Sequence, residues 1–156
     1  MSQNIEQTAN RAIIVYDGVC HLCNGSLNFV LRHQRANNAF YFVPFQSDQG
    51  RYICEHFSIS PNDLSTFLYV SNGGVATRSD AWLRIMAQLA VPYNVFARLT
   101  RIIPGRIRDY VYDAIGERRY RWFGQSDSCL IPGNNQLETV PDLEIVKSLI
   151  ALNSKI

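Results

Sequence analysis

The stretch IIVYDGVCHLCNGSLNFVLRHQR, residues 13–35, changes periodicity part-way along. Residues 12–17 (AIIVYD) form a short β-branched run that reads as a buried strand, ended by the turn-forming pair Asp17-Gly18. Two cysteines three residues apart then open a helical pattern that runs to residue 35. Advancing 100° per residue from Cys20 puts Cys20, Cys23, Leu27, Val30 and Leu31 within roughly a 100° arc, the stripe that would face a sheet. The aromatic, β-rich AFYFVPF at 39–45 reads as a second strand. Strand, helix and strand within about 35 residues imply parallel strands joined by a right-handed crossover.

Outward from that unit, residues 47–57 read as a short helix interrupted by Gly50, and STFLYV at 65–70 as a third strand. Asn72-Gly73-Gly74 signals a hairpin into a short fourth strand, VAT. Ser79 is placed to cap a helix over 80–90, with apolar Trp82, Leu83, Ile85, Met86 and Leu89. The expectation is an α/β, thioredoxin-like fold: a mixed four-stranded sheet flanked by helices, with a C-terminal helical extension. Residues 1–11 are expected to be a flexible polar arm and 12–156 one domain, its core at about 12–91 and its extension at about 92–156. In the extension, 93–102 reads as a helix, Pro104-Gly105 breaks it, and 106–120 forms another. There Ile107, Tyr110, Val111, Ala114 and Ile115 recur at helical spacing and are expected to cover the core. A final helix is expected from about Pro141 to Leu152.

The 156 residues, 47% hydrophobic and 18% charged, suit one globular domain. The net charge of +2 is too small to imply a polyanionic partner for the whole molecule. No run approaches about 18 uninterrupted apolar residues, so no membrane span is expected. MSQNIEQTAN lacks the basic and apolar regions of a secretory signal, which points to a cytoplasmic address. In a reducing compartment four cysteines, Cys20, Cys23, Cys54 and Cys129, imply a catalytic or metal-bound close pair over a disulfide framework.

The helix start favours the catalytic reading. Unpaired N–H groups and the helix dipole stabilise a thiolate there, and only the thiolate attacks a disulfide. Cys20 is expected to be open to solvent and Cys23 sheltered under the first turn. His21 adds positive charge when protonated, or is merely an exposed turn residue. Asp17 has two readings: acceptor of the Cys23 proton, or a turn residue bonding to nearby backbone N–H groups.

YDGVCHLCNG, with Asp17, Cys20 and Cys23, matches the Asp-x-x-Cys-x-x-Cys signature of the DCC family of thiol-disulfide oxidoreductases. FVPFQSDQG at 42–50, TRSDAWLRI at 77–85 and RYRWFGQSDSC at 119–129 resemble it in the same order. The resemblance implies a thioredoxin-like fold and protein-disulfide reductase activity, with a disulfide-containing protein or small thiol as substrate. The cysteines carry the electrons, so no cofactor is required. An electron donor of the thioredoxin or glutathione system must re-reduce them. Better-known thioredoxins carry a cis-proline just before the third strand; here Leu64-Ser65-Thr66 stands in that place, making Ser65 and Thr66 candidate substrate contacts.

Two rivals remain. A zinc site would need partners for the pair among His21, His33, Cys54, His56 and Cys129, none of which forms a second spaced pair. A non-catalytic thioredoxin-like binding module would leave Cys20 inert. Cys54 reads as a buried small hydrophobe and Cys129 as filler or an auxiliary exchanging thiol. Seven arginines against Asp109, Asp113 and Glu117 over 98–121 suit an acidic protein, a membrane surface or nucleic acid, or simply a solvated helix face. No nucleic-acid-binding motif accompanies them.

Overall fold

The computed structural model describes residues 11–35, 40–60, 67–71, 74–125 and 142–153. In chain order these form β1 (Ala12–Tyr16), α1 (His21–His33), β2 (Phe40–Pro44), α2 (Asp48–His56), β3 (Phe67–Ser71), β4 (Gly74–Thr77), α3 (Arg78–Ala87), α4 (Tyr93–Thr100), α5 (Gly105–Phe123) and α6 (Leu143–Asn153). The sheet order is β2-β1-β3-β4. β1 pairs with β2 in parallel, and β3 runs antiparallel to both β1 and β4. This is the mixed four-stranded sheet of a thioredoxin-like α/β fold. Pro44 ends β2 on the sheet edge, where a residue without an N–H leaves no gap in a ladder.

Both faces of β1 are buried, which is why its sequence is a continuous apolar run instead of an alternating one. Ile14 and Tyr16 pack with Phe42, Tyr69, Leu27 and Val30 of α1, and Leu83 and Ile85 of α3. Ile13 and Val15 pack on the opposite face with Val43, Leu68, Ile53 of α2, and Val146 and Ile150 of α6. Each such aliphatic side chain stabilises the fold by about 1.5–3 kcal/mol, so the two layers hold β1 and its C-terminal end firmly.

Gly50 does not interrupt α2; it makes α2 fit. A Cβ at that position would stand 2.8 Å from Phe45 Cα, so only glycine lets the first turn lie against the chain leaving β2. Ser47 caps this helix by accepting the Gly50 N–H at 3.1 Å.

Two expectations are corrected. Helix α3 starts at Arg78, and Ser79 is not its cap: it is buried and its hydroxyl donates to Asp109 of α5. Arg11, the last residue of the expected arm, has its guanidinium 5.2 Å from the Tyr41 ring centroid, and residues 1–10 lie outside the described residues. The stripe of Ile107, Tyr110, Val111 and Ile115 does not cover the core, for all four are exposed. α5 docks instead through polar bonds: Arg108 to Asp80 at 3.0 Å, Asp113 to Arg78 at 3.5 Å, and Asp109 to Ser79. Periodicity reveals a stripe but not which way it faces, and here the polar side supplies the specific partners.

Candidate active site

β1 ends at Tyr16 on the carboxyl edge of the sheet, and Asp17-Gly18 turns the chain into α1. Cys20 is the N-cap of that helix, with extended backbone at φ −86° and ψ 121°, one residue ahead of the first helical position. Its Sγ accepts the Cys23 backbone N–H at 3.4 Å, the bond a serine or aspartate cap would make. The two thiols are unlinked. Asn24 braces the turn by donating Nδ2–H to Gly18 O at 3.0 Å.

The Cys20 thiol is brought down to about 7 from an ordinary 9.0. The hydrogen bond from the Cys23 thiol contributes most, joined by the Cys23 N–H and the Arg119 guanidinium; burial and the Asp17 charge oppose them. Cys23 moves strongly upward, chiefly because it holds that shared hydrogen bond, then because of burial and the neighbouring Cys20 charge. Above about pH 7 the pair therefore carries one negative charge and one proton, with the charge favoured on the sulfur at the helix end.

Cys20 was expected to be open. It is not: both Cys20 and Cys23 are 0% exposed. The cover is the end of α5. Gly124, at φ +79° in the left-handed region suited to glycine, ends that helix and sends the chain across the CxxC turn. The His21 N–H donates to Gly124 O at 3.4 Å, His21 Nδ1 lies 3.1 Å from Phe123 O, and Gln125 makes a β-bridge with Cys20. The carbonyl partner requires the proton on His21 Nδ1. His21 itself is exposed, and its contact here is with this strap.

α5 also brings Arg119 and Tyr120, absent from the sequence-based candidates. Arg119 Nη2 is 3.2 Å from Asp17 Oδ2, and both side chains are almost fully buried. The Tyr120 hydroxyl donates to the same oxygen, and Arg119 Nη2 lies 2.9 Å from that hydroxyl. Asp17 Oδ1 accepts from Val19 N at 3.2 Å and from Gln46 Nε2 at 2.8 Å. Gln46 Oε1 in turn accepts the Gly18 N–H at 3.2 Å. A carboxylate offers about four lone-pair sites, and all four are taken here. The turn bond to Val19 is thus present, and the four donors to Asp17 are Val19, Gln46, Arg119 and Tyr120. Burial and Asp17 both raise Tyr120, so it stays a phenol and donates. Gln46 and Arg119-Tyr120 lie inside the blocks FVPFQSDQG and RYRWFGQSDSC, which was the available signal.

Cys54 lies on the far face of the sheet from the CxxC pair, and burial raises it to about 11, which leaves it an unreactive thiol. Among the described residues no three His, Cys, Asp or Glu side chains are grouped to hold a metal. Ser65, Thr66 and Cys129 lie outside the described residues. Beside the CxxC turn an apolar cavity of about 800 Å³ opens between α1, α3 and α4, lined by Leu22, Phe29, Trp82, Tyr93 and Phe123, with His21 at its edge.

The family model for DCC1-like thiol-disulfide oxidoreductase matches residues 14–125, which span the strand, the CxxC turn, Arg119 and the strap. The chain is 32% identical over 127 residues to the uncharacterized protein YuxK of Bacillus subtilis, covering 81% of this chain and 90% of that one. It is 36% identical over 119 residues to a chloroplastic DCC family protein of Arabidopsis thaliana, covering 76% of this chain and 69% of that one. No solved structure matches at a comparable level of significance. Among the described residues no helix is long and apolar enough to cross a membrane.

Proposed function

The chain belongs to the DCC1-like thiol-disulfide oxidoreductase family, and from that premise we propose that it is a protein-disulfide reductase in which Cys20 attacks and Cys23 resolves. The observation that carries this is the Cys20 sulfur at the α1 N-cap, drawn down to about 7 by the donors from Cys23. The Cys20 thiolate attacks one sulfur of a substrate disulfide, forming a mixed disulfide and releasing the other sulfur as a thiolate that takes up a proton. Cys23 then gives up its proton to solvent and attacks Cys20 Sγ, breaking the mixed disulfide and releasing the second substrate sulfur as a thiolate that takes up a proton. Two electrons pass to the substrate, and the enzyme is left with a Cys20–Cys23 disulfide. A dithiol or glutathione-type donor of a reducing compartment returns it to the dithiol state.

The shared proton makes the two steps sequential. The bond to Cys20 is the main reason Cys23 is held protonated, and the Cys20 charge adds to it. Both influences end once Cys20 is in the mixed disulfide, while Arg119 remains nearby to favour the Cys23 thiolate. Asp17 serves to hold Arg119 and Tyr120 against the turn. The apolar cavity beside His21 receives apolar residues flanking the substrate disulfide, which favours a protein substrate over a small polar one.

Rates of iodoacetamide alkylation of Cys20 against pH test this directly. The expected midpoint is near 7; a midpoint at or above 9.0 would leave an inert binding module. The same shift links to stability. The folded-state value lies below the unfolded one, so the reduced protein gains stability from Cys20 as pH rises from about 7 to 9, and loses it as pH falls through 7. Above pH 9 the raised Cys23 value reverses the trend.

Attack also requires the strap to lift. His21→Ala deletes one bond holding it, and a surface-type hydrogen bond is worth about 1 kcal/mol. The expected result is a two- to fivefold faster alkylation of Cys20 at saturating pH. A rate equal to or below the original would show that the His21 contact does not gate access.

A further inference from the structure

Every exposed large apolar side chain among the described residues lies between Val91 and Phe123. On α4 and the turn after it, Val95, Leu99 and Ile102 recur at i, i+4, i+7 on one outward stripe, with Ile102 80% exposed. On α5, Ile107 and Val111 are exposed along one wall of a groove, and Tyr110 stands outward at 76% exposed. Between the two helices runs an apolar groove of about 380 Å³ floored by Trp82 and Met86. A helix of a globular protein ordinarily turns its apolar stripe inward; here the polar side of α5 is tied to α3 and the apolar side is left over. So large an apolar surface marks a binding face.

The charges around it say what kind. Arg98, Arg101, Arg106, Arg118 and Arg121 are all exposed, and none forms an ion pair among the described residues. The acids of the region point elsewhere: Asp109 to Ser79 and Asp113 to Arg78, which leaves Glu117 as the one exposed carboxylate on α5. Among the described residues, five exposed arginines and one exposed acid outside any ion pair surround an apolar ridge, the exposed Asp80 being paired with Arg108. A second copy seated on this face would set those arginines against one another. A bilayer with anionic headgroups satisfies both parts, taking the ridge into the acyl boundary and the guanidinium groups at the phosphates. We propose that the α4–α5 face docks on an anionic membrane surface, the turn Arg101–Pro104 entering first.

Cosedimentation of the full reduced chain with vesicles tests this, using phosphatidylcholine alone and phosphatidylcholine mixed with phosphatidylglycerol. Binding to the mixed vesicles is expected, with a steep loss as salt is raised. Leu99→Glu with Ile102→Glu, both outside the cavities and the site, should weaken it more than tenfold with the circular-dichroism spectrum unchanged. Each arginine beside an anionic surface is worth about fivefold, so replacing Arg98, Arg101 and Arg106 by serine should weaken it about a hundredfold. No binding by the parent chain, or equal binding by either variant, overturns the proposal. So does concentration-dependent self-association that the Leu99/Ile102 variant abolishes, which would assign the face to a second copy. Cys20 alkylation in these variants should match the parent, so this proposal and the redox reading fail separately.

Discussion

Replacing Cys20 with serine is expected to abolish disulfide reduction, a loss on the order of a thousandfold or more in insulin turnover. Two features make this a chemical loss and not a folding one. Serine is among the best N-cap residues, so its hydroxyl can take over the bond from the Cys23 N–H that the sulfur now accepts. The volume change is small in a pocket that also holds the Arg119–Asp17 pair. What disappears is a nucleophile ionised near pH 7, since a serine hydroxyl is essentially un-ionised there. Replacing Cys23 should have the complementary effect. Attack by Cys20 still occurs, but no internal thiol releases the product, and a Cys20–substrate mixed disulfide accumulates that intact-mass measurement detects. With Cys23→Ala, the Cys20 alkylation midpoint should also rise, because the strongest contribution to lowering it came from the Cys23 thiol. Undiminished insulin reduction by the Cys20 variant would refute the assignment of roles. A mixed disulfide on Cys54 would refute it equally, since Cys54 is buried on the other face of the sheet and raised to about 11.

The seam between β1 and α1 was legible because three local signals coincide there: a β-branched run, an Asp-Gly turn and a CxxC at helical phase. The parallel β1–β2 pair and the β3–β4 hairpin followed from the same local reading, since strands separated by one helix or one hairpin have few ways to pair. What escaped was set by contacts between distant parts of the chain. Arg119 is 102 residues from Asp17. In a helix carrying many arginines it looks like one more solvated cation until the fold brings a buried carboxylate to it. The same holds for Cys20. A helix start ordinarily implies access, and only the landing point of Gly124-Gln125, 104 and 105 positions downstream (124 − 20 and 125 − 20), shows that the thiol is covered. Gly50 was visible as an anomaly but for the wrong reason: it permits a close helix–strand approach instead of breaking a helix. The stripe on α5 was visible too, and its direction was decided by polar partners on α3 that periodicity does not encode.

Arg119→Met is expected to be the most destabilising single change at the site, costing about 3–5 kcal/mol, because it leaves the Asp17 carboxylate buried without its cation. Val19, Gln46 and Tyr120 would still donate to Asp17, which argues for the lower part of that range. The redox effect has a predictable sign and a limited size. Arg119 favours the Cys20 thiolate but stands behind the thiol and N–H of Cys23 among the lowering influences, so the alkylation midpoint should rise above 7 without reaching 9.0. Arg119→Lys separates charge from shape: a point charge retains much of the thiolate bias, yet cannot present a planar fork to the carboxylate and the tyrosine hydroxyl together. It should therefore recover more of the midpoint than of the stability. Pairing Arg119→Met with Asp17→Asn removes the stranded charge, so the double variant should be more stable than Arg119→Met alone, by an amount readable from urea midpoints. If Arg119→Met instead unfolds at the parental urea concentration, the ion pair is not holding α5 to the turn. The strap over Cys20 would then be anchored by the His21 contacts and the Cys20–Gln125 bridge, and the loss of the His21 side chain in His21→Ala should expose the thiol more than fivefold.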